Sequence, residues 1–171
     1  MAKNGTCTTL PTAARDGDTE IAKLLWGRGI EIDTMTEYKW TALHCAANHG
    51  HPETVKMLLE RGAAIDATTD DKSTALHLAA YNNHPKTVKM LLEMGAAIDA
   101  TTNKKWTALH CAAHNGQLET VKMLLERGAA IDATTNDKWT ALHLAARNGH
   151  RETIKVLLEW GTAIDATTDS K

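Results

Sequence analysis

Thr41-Ala42-Leu43-His44 returns as Thr74-Ala75-Leu76-His77, Thr107-Ala108-Leu109-His110 and Thr140-Ala141-Leu142-His143, spaced by 33 residues each time. A constant period of that length is the mark of a solenoid, in which each repeat is one supersecondary unit that buries its apolar face only by stacking on a neighbour. The reading of the whole chain follows from this register.

The second unit displays the pattern most fully. Thr41 is a good N-cap, and Ala42–Ala47 is expected to form a short helix with Leu43, Cys45 and Ala46 turned inward. His44 stands three residues after the threonine, where its ring can bond back as the last member of a capping box does. Gly50 suits the position that ends this helix, and Pro52 suits the first turn of a second one. That second helix, from Thr54 to about Arg61, is expected to bury Val55, Leu58 and Leu59, with Gly62 closing it. The run Ala63-Ala64-Ile65-Asp66-Ala67-Thr68-Thr69 then leads to a polar turn at Asp70-Asp71-Lys72. The corresponding inward residues are Val88, Leu91 and Leu92, then Val121, Leu124 and Leu125, then Ile154, Leu157 and Leu158. Residues 1–7 read as a loose tail. A single array follows over 8–171, in units of about 8–40, 41–73, 74–106, 107–139 and 140–171. The first is degenerate, as a terminal cap must be, with Thr8-Thr9-Leu10-Pro11 where the others carry Thr-Ala-Leu-His.

Composition narrows the function. The chain has 171 residues, 43% of them hydrophobic, with no Phe and only 4% aromatics, so the core is aliphatic. A formal charge of −2, with no basic stripe, argues against nucleic acid as a partner. No stretch approaches 18 apolar residues, which excludes a membrane helix, and the Met1–Leu10 segment lacks the apolar run of a leader. Cys7, Cys45 and Cys111 are an odd number. The last two, two periods apart, would lie roughly 20 Å from each other at about 10 Å per helix layer, beyond disulfide reach. The expectation is a soluble, intracellular, cytoplasmic protein.

The run Thr74-Ala75-Leu76-His77-Leu78-Ala79-Ala80, its three counterparts and the 33-residue unit of helix, Gly, helix, Gly and turn resemble the ankyrin repeat. The resemblance covers about residues 8–171. It implies an all-α repeat solenoid of stacked helix-turn-helix units with hairpin-like finger loops at right angles to the helix pairs. It also implies a protein that catalyses nothing, needs no cofactor and binds other proteins along its concave side, on the finger tips and the exposed end of the first helix. The sequence departs from the family at two places. Ala replaces the proline after the threonine in all four copies, and Lys39, Lys72, Lys105 and Lys138 stand where the turn usually has glycine. Either that lysine takes positive φ, at a strain of roughly 1 kcal/mol, or the Asn or Asp beside it carries the turn.

Nine histidines invite a metal or catalytic reading. His44, His77, His110 and His143 recur with the period, so each is expected to repeat one structural bond. His49 and His51 make a pair without a third ligand. His44-Cys45 and His110-Cys111 are adjacent on a helix and point about 100° apart, with no acid to orient the ring. No catalytic residue and no metal ligand is therefore assigned. The positions that vary on the near-constant scaffold carry more information. At the fingers and the slot before the threonine, Tyr38, Trp40, Asp71, Lys104, Trp106, Asp137 and Trp139 are the candidate partner-binding residues. At the end of the first helix they are Asn48, His49, Tyr81, Asn82, His114 and Arg147. Trp, Tyr and Arg dominate interface energetics, and the tryptophan row, with its gap at Ser73, is either an interface or folded down as scaffold.

The leading expectation is a non-catalytic protein-interaction module or adaptor. Near-identity of the units, even at surface positions, equally suits an engineered or consensus-derived scaffold with no evolved partner. The fifth unit lacks a polar cap, since Ile154, Val156, Leu157, Leu158 and Trp160 resemble an internal unit. A longer array, or self-association through this end, is expected from that.

Overall fold

A computed structural model describes residues 9–161. The tail read over 1–7, Cys7 and the end of the fifth unit therefore lie outside the described residues. Within them the chain forms ten helices and no strand. They come in pairs: α1 (Leu10–Arg15) with α2 (Thr19–Gly27), α3 (Ala42–Asn48) with α4 (Pro52–Glu60), α5 (Ala75–Tyr81) with α6 (Pro85–Glu93), α7 (Ala108–His114) with α8 (Leu118–Glu126), and α9 (Ala141–Arg147) with α10 (Arg151–Glu159). The odd-numbered helices stack in one layer and the even-numbered helices in a second layer behind it. Each helix pair packs on the next, as the solenoid reading requires.

The capping boxes form as the spacing implies. Thr41 N–H donates to His44 Nδ1 at 3.1 Å, and the same bond joins Thr74 to His77, Thr107 to His110 and Thr140 to His143. Pro52 occupies the first turn of α4, so the second helix begins at Pro52 and ends at Glu60, earlier than expected at both ends. In the degenerate first unit α1 starts one residue later within the period. Thr9 is its cap, and Thr12 Oγ1, accepting from Thr9 N–H at 2.7 Å, stands in for the histidine ring.

Small residues set the spacing of the inner layer. Ala42, Ala46 and Ala47, with their counterparts Ala75, Ala79, Ala80, Ala108, Ala112 and Ala113, are fully buried, which lets successive helices approach closely. Leu43, Leu76 and Leu109 fill the space between the layers beside Leu58, Leu91 and Leu124, all inaccessible. Burial of each is worth about 1.5–3 kcal/mol. The expected inward triplets need correction. Leu59 and Leu92 are only half-buried and Leu158 is exposed, while Met57 is buried in α4. Residue 59 and its equivalents lie at the margin of the helix's buried face, so their burial varies from unit to unit.

Side chains bond one unit to the next at regular intervals. Asp33, Asp66 and Asp99 carboxylates accept the backbone N–H of Ala64, Ala97 and Ala130, 31 residues on. His51, His84 and His150 each donate from Nε2 to the carbonyl ending the preceding inner helix, on Arg15, Asn48 and His114. Those rings sit against glycine. A Cβ on Gly17 would lie 2.7 Å from His51 Nδ1, and one on Gly50 or Gly116 would overlap the rings of His84 and His150. Where the glycine is instead Asn83, at φ 60, the incoming residue is Gln117, whose Nε2 donates to Tyr81 O at 2.9 Å. The two departures from the period compensate each other.

The turn lysines do take the left-handed conformation. Lys39, Lys72, Lys105 and Lys138 have φ of 55, 61, 56 and 59°. Each ends a tight finger in which the backbone closes between residues four apart, as in Thr69 N–H to Ser73 O at 3.0 Å. A left-handed lysine costs roughly 1–2 kcal/mol relative to the ordinary region.

Candidate functional site

The fingers and the C-terminal ends of the inner helices share one side of the molecule, and the candidate residues divide there into two groups. The first group is engaged in holding the array together. Asn82 Nδ2 donates to Asn48 Oδ1 and to Leu78 O, both at 2.9 Å. His49 Nδ1 closes the same helix-end bond onto Cys45 O at 3.0 Å, and its ring stacks on His51. Asn115 and Asn148 repeat that role one and two units further on. These residues brace the helix ends as well as facing solvent.

The second group gathers around the fingers. Tyr38 is exposed, and Trp40 is half-buried with its ring 6.2 Å from that of His44. Trp106 lies between His110 and His114, edge-on to the latter at 5.3 Å, and His114 stacks on Tyr81 at 6.5 Å. Arg147 caps the face of Trp139 at 5.1 Å, a cation–π contact, and Trp139 meets His143 edge-on. The indoles of the row are thus neither core nor free, since each rests half-buried on the histidine cap of the unit that follows it.

Between the second and third fingers opens a cavity of about 470 Å³, lined by Asp71, Ser73, Tyr81, Thr102, Asn103, Lys104, Trp106 and Cys111. One period on, Trp106, Thr135, Asp137, Trp139 and Leu144 stand for Ser73, Thr102, Lys104, Trp106 and Cys111, and the space there is about 90 Å³. Two wall positions grow at that step, Cys111 to Leu144 and Ser73 to Trp106. The second is the slot before the threonine, which holds an indole at 40, 106 and 139 and a hydroxymethyl at 73. Ser73, Thr102, Asn103 and Cys111 were not among the candidates. The break in the tryptophan period was the visible signal for Ser73. Nothing in the sequence marks which neighbours wall its gap.

The charges at this mouth are unevenly matched. Asp71 accepts from the Thr69 hydroxyl, from the Ser73 hydroxyl at 3.0 Å and from Ser73 N–H at 3.3 Å. Partial burial opposes its charge, but those hydrogen bonds outweigh it and hold its pKa below the ordinary carboxylate value. Asp70 pairs with Lys39 at 3.3 Å. Asn103 N–H donates to Asp71 O and Asn136 N–H to Lys104 O, tying successive fingers together. The Lys104 ammonium makes no ion pair among the described residues.

The residues with chemical potential are arranged for structure. Burial lowers the pKa of His44, His77 and His110, partly offset by hydrogen bonds to backbone carbonyls. Nδ1 of each accepts a backbone N–H, so Nε2 carries the proton of the neutral ring. That proton goes to Ala67 O and Ser73 O, to Trp106 O and to Trp139 O, at 2.9–3.2 Å. Cys45 and Cys111 are free, buried thiols, with burial pushing their pKa up to about 11 and about 12. Neither offers a thiolate near neutral pH. Among the described residues no three His, Cys, Asp or Glu side chains converge as a metal site, and no helix is long and apolar enough to cross a membrane.

A family model for ankyrin repeats, in three copies, matches residues 10–102 and 95–168. No curated protein matches the chain.

Proposed function

Because the chain belongs to the ankyrin-repeat family, we propose that it is a non-catalytic interaction module, its five units acting as one array that holds a protein partner along the side formed by the fingers and inner-helix ends. The observation that carries this reading is the placement of the variable residues. Tyr81, Trp106 and Lys104 line one open cavity, with His114 against the two rings, and Trp139, Asp137 and Arg147 gather beside it, on a scaffold that otherwise repeats. Aromatic anchors with a polar border are the composition of an interface centre and rim. The footprint extends to Tyr38 and Trp40 at one end, with Asn48, His49, Asn82 and Asp71 forming part of its polar edge.

The test is selection from a displayed random-peptide library on the intact protein, with recovered peptides re-measured on Tyr81→Ala, Trp106→Ala and Trp139→Ala. Truncating an anchor should weaken binding roughly 5- to 30-fold, the range of a 1–2 kcal/mol contact. Peptides that bind all three variants as tightly as the parent would place the interface elsewhere and defeat the assignment.

A second reading concerns the end of the array. Leu125 in α8 is 4% exposed, whereas its equivalent Leu158 is 42% exposed, beside Trp160 at 49%. At the other end Leu24 is 65% exposed, while its equivalent Met57 is 6% exposed. These two apolar ends are the faces that join inside the array, and we propose that they support head-to-tail self-association. Sedimentation velocity should show a concentration-dependent shift that Leu158→Lys removes. A monomer at all concentrations would dismiss it.

A further inference from the structure

Ser73 is the residue at which the scaffold departs from its own tryptophan row, and the departure leaves a cavity whose walls remain those of an indole seat. Tyr81 and Trp106 provide its aromatic sides, and the corresponding space one unit on, where Trp106 takes the place of Ser73, is reduced from about 470 to about 90 Å³. The 470 Å³ volume is within the range that holds a ligand group of this size. Ser73 itself does not reach into the space as a free hydrogen-bonding group, because its hydroxyl donates to Asp71. On the acidic finger Asp70 is paired with Lys39, while Asp71 keeps its charge and has its oxygens engaged by the Thr69 and Ser73 hydroxyls. Lys104, on the opposite lip, has no carboxylate partner among the described residues. The cavity therefore combines aromatic walls with an ammonium on one lip that has no carboxylate partner among the described residues. On the other lip is a carboxylate whose acceptor sites are already taken by Thr69 and Ser73.

We propose that the cavity beside Ser73 receives one aromatic side chain of a partner polypeptide, an indole above all, with an acidic residue next to it in the partner's chain facing Lys104. The incoming ring completes the row that the chain's own residues form at 40, 106 and 139, and the flanking carboxylate supplies the charge that Lys104 lacks. This deepens the interaction-module reading and rests on it. A basic neighbour to the aromatic residue is disfavoured by Lys104, and an aliphatic side chain fills the space without the ring-on-ring contacts to Tyr81 and Trp106.

The experiment is a titration of the full chain followed by amide and indole N–H chemical shifts, with three capped dipeptides: N-acetyl-Trp-Asp-amide, N-acetyl-Trp-Lys-amide and N-acetyl-Leu-Asp-amide. The first should produce saturable shifts at Ser73, Asn103, Lys104 and the Trp106 indole, with a dissociation constant on the order of millimolar. It should bind roughly tenfold more tightly than either of the others. Ser73→Trp, which places the chain's own indole in the seat as in its sister units, should keep the fold and abolish the response. Lys104→Glu, a change at an exposed finger tip, should reverse the order of the two tryptophan peptides. No saturation by N-acetyl-Trp-Asp-amide, an equal response to the leucine peptide, tighter binding of the lysine peptide by the parent chain, or an undiminished response in Ser73→Trp would each overturn the proposal. If library-selected peptides bind this side while the dipeptide does not, the interaction module stands and only this anchor falls.

Discussion

His110 joins its own helix start to the next finger through one ring. Its Nδ1 accepts from Thr107 at the helix start, and its Nε2–H reaches the carbonyl of Trp139 at the end of the next finger, at 3.1 Å. His110→Ala therefore removes a cap, leaves the buried Thr107 N–H without its acceptor and takes one of two donors from Trp139 O, which keeps Thr135 N–H. It should cost about 2–4 kcal/mol in denaturant melts. The same geometry sets a pH dependence. The folded-state pKa values of His44, His77 and His110 lie below the ordinary value of 6.5 because burial disfavours the charged ring. The unfolded chain thus binds more protons between the two values. The contribution is complete above pH 6.5 and is lost as pH falls toward the folded-state pKa. The melting temperature should decline from pH 7 to 5, with a shallower decline in His77→Gln; identical slopes would mean that the buried ring does not control it. Trp139 presents a different case, being half-buried against His143 with Arg147 over its face. Its truncation to Ala should cost about 1–2 kcal/mol, between the roughly 3 kcal/mol or more of a buried indole and the roughly 0.5 kcal/mol of a surface change.

The helix pair is the element that must both end and connect within a few residues. Gly50 does this for α3 by taking φ 71° and leaving space for the His84 ring, which bonds to Asn48 O at 3.1 Å. Asn83 and Gln117 meet the same demand with a different pair of side chains. Gly50→Asn alone should destabilise by about 2 kcal/mol or more, through overlap with the imidazole and left-handed strain. Adding His84→Gln should recover at least about 1 kcal/mol of that, so the coupling in a double-mutant cycle is large. Strict additivity of the two changes would refute the compensation.

In the whole molecule each unit is stabilised by its neighbours, so protection should fall from the middle outward. Ala80, Leu91, Ala113 and Leu124 are inaccessible, whereas Leu24, Leu158 and Trp160 at the two ends are exposed. Amide hydrogen exchange should be slowest in α5–α8 and fastest in α10. Uniform protection in a sample shown to be monomeric would contradict a nearest-neighbour array. The fingers add continuity along one edge, where Asn103 and Asn136 bond to the finger before them through both backbone and side chain.

The amino-acid sequence by itself determined the period, the capping threonines, the inner and outer helices and the structural role of the four periodic histidines. These are local matters, set by propensity and by bonds between residues three or four apart, and the repetition amplified a weak local signal fourfold. It also marked one break in the repetition, at Ser73; those at Asn83 and Gln117 came to light with the structure. The tertiary structure alone decided what those breaks mean. Asn83 and Gln117 are 34 residues apart in the chain, and only stacking brings the carboxamide of one unit to the inner-helix end of the unit before it. Ser73, Tyr81 and Trp106 enclose one space because adjacent units are held at a fixed separation by buried alanines and by the Asp66-to-Ala97 bond. The half-burial of the indoles belongs to the same level, since the accessibility of a side chain depends on what the neighbouring unit covers and not on its own identity.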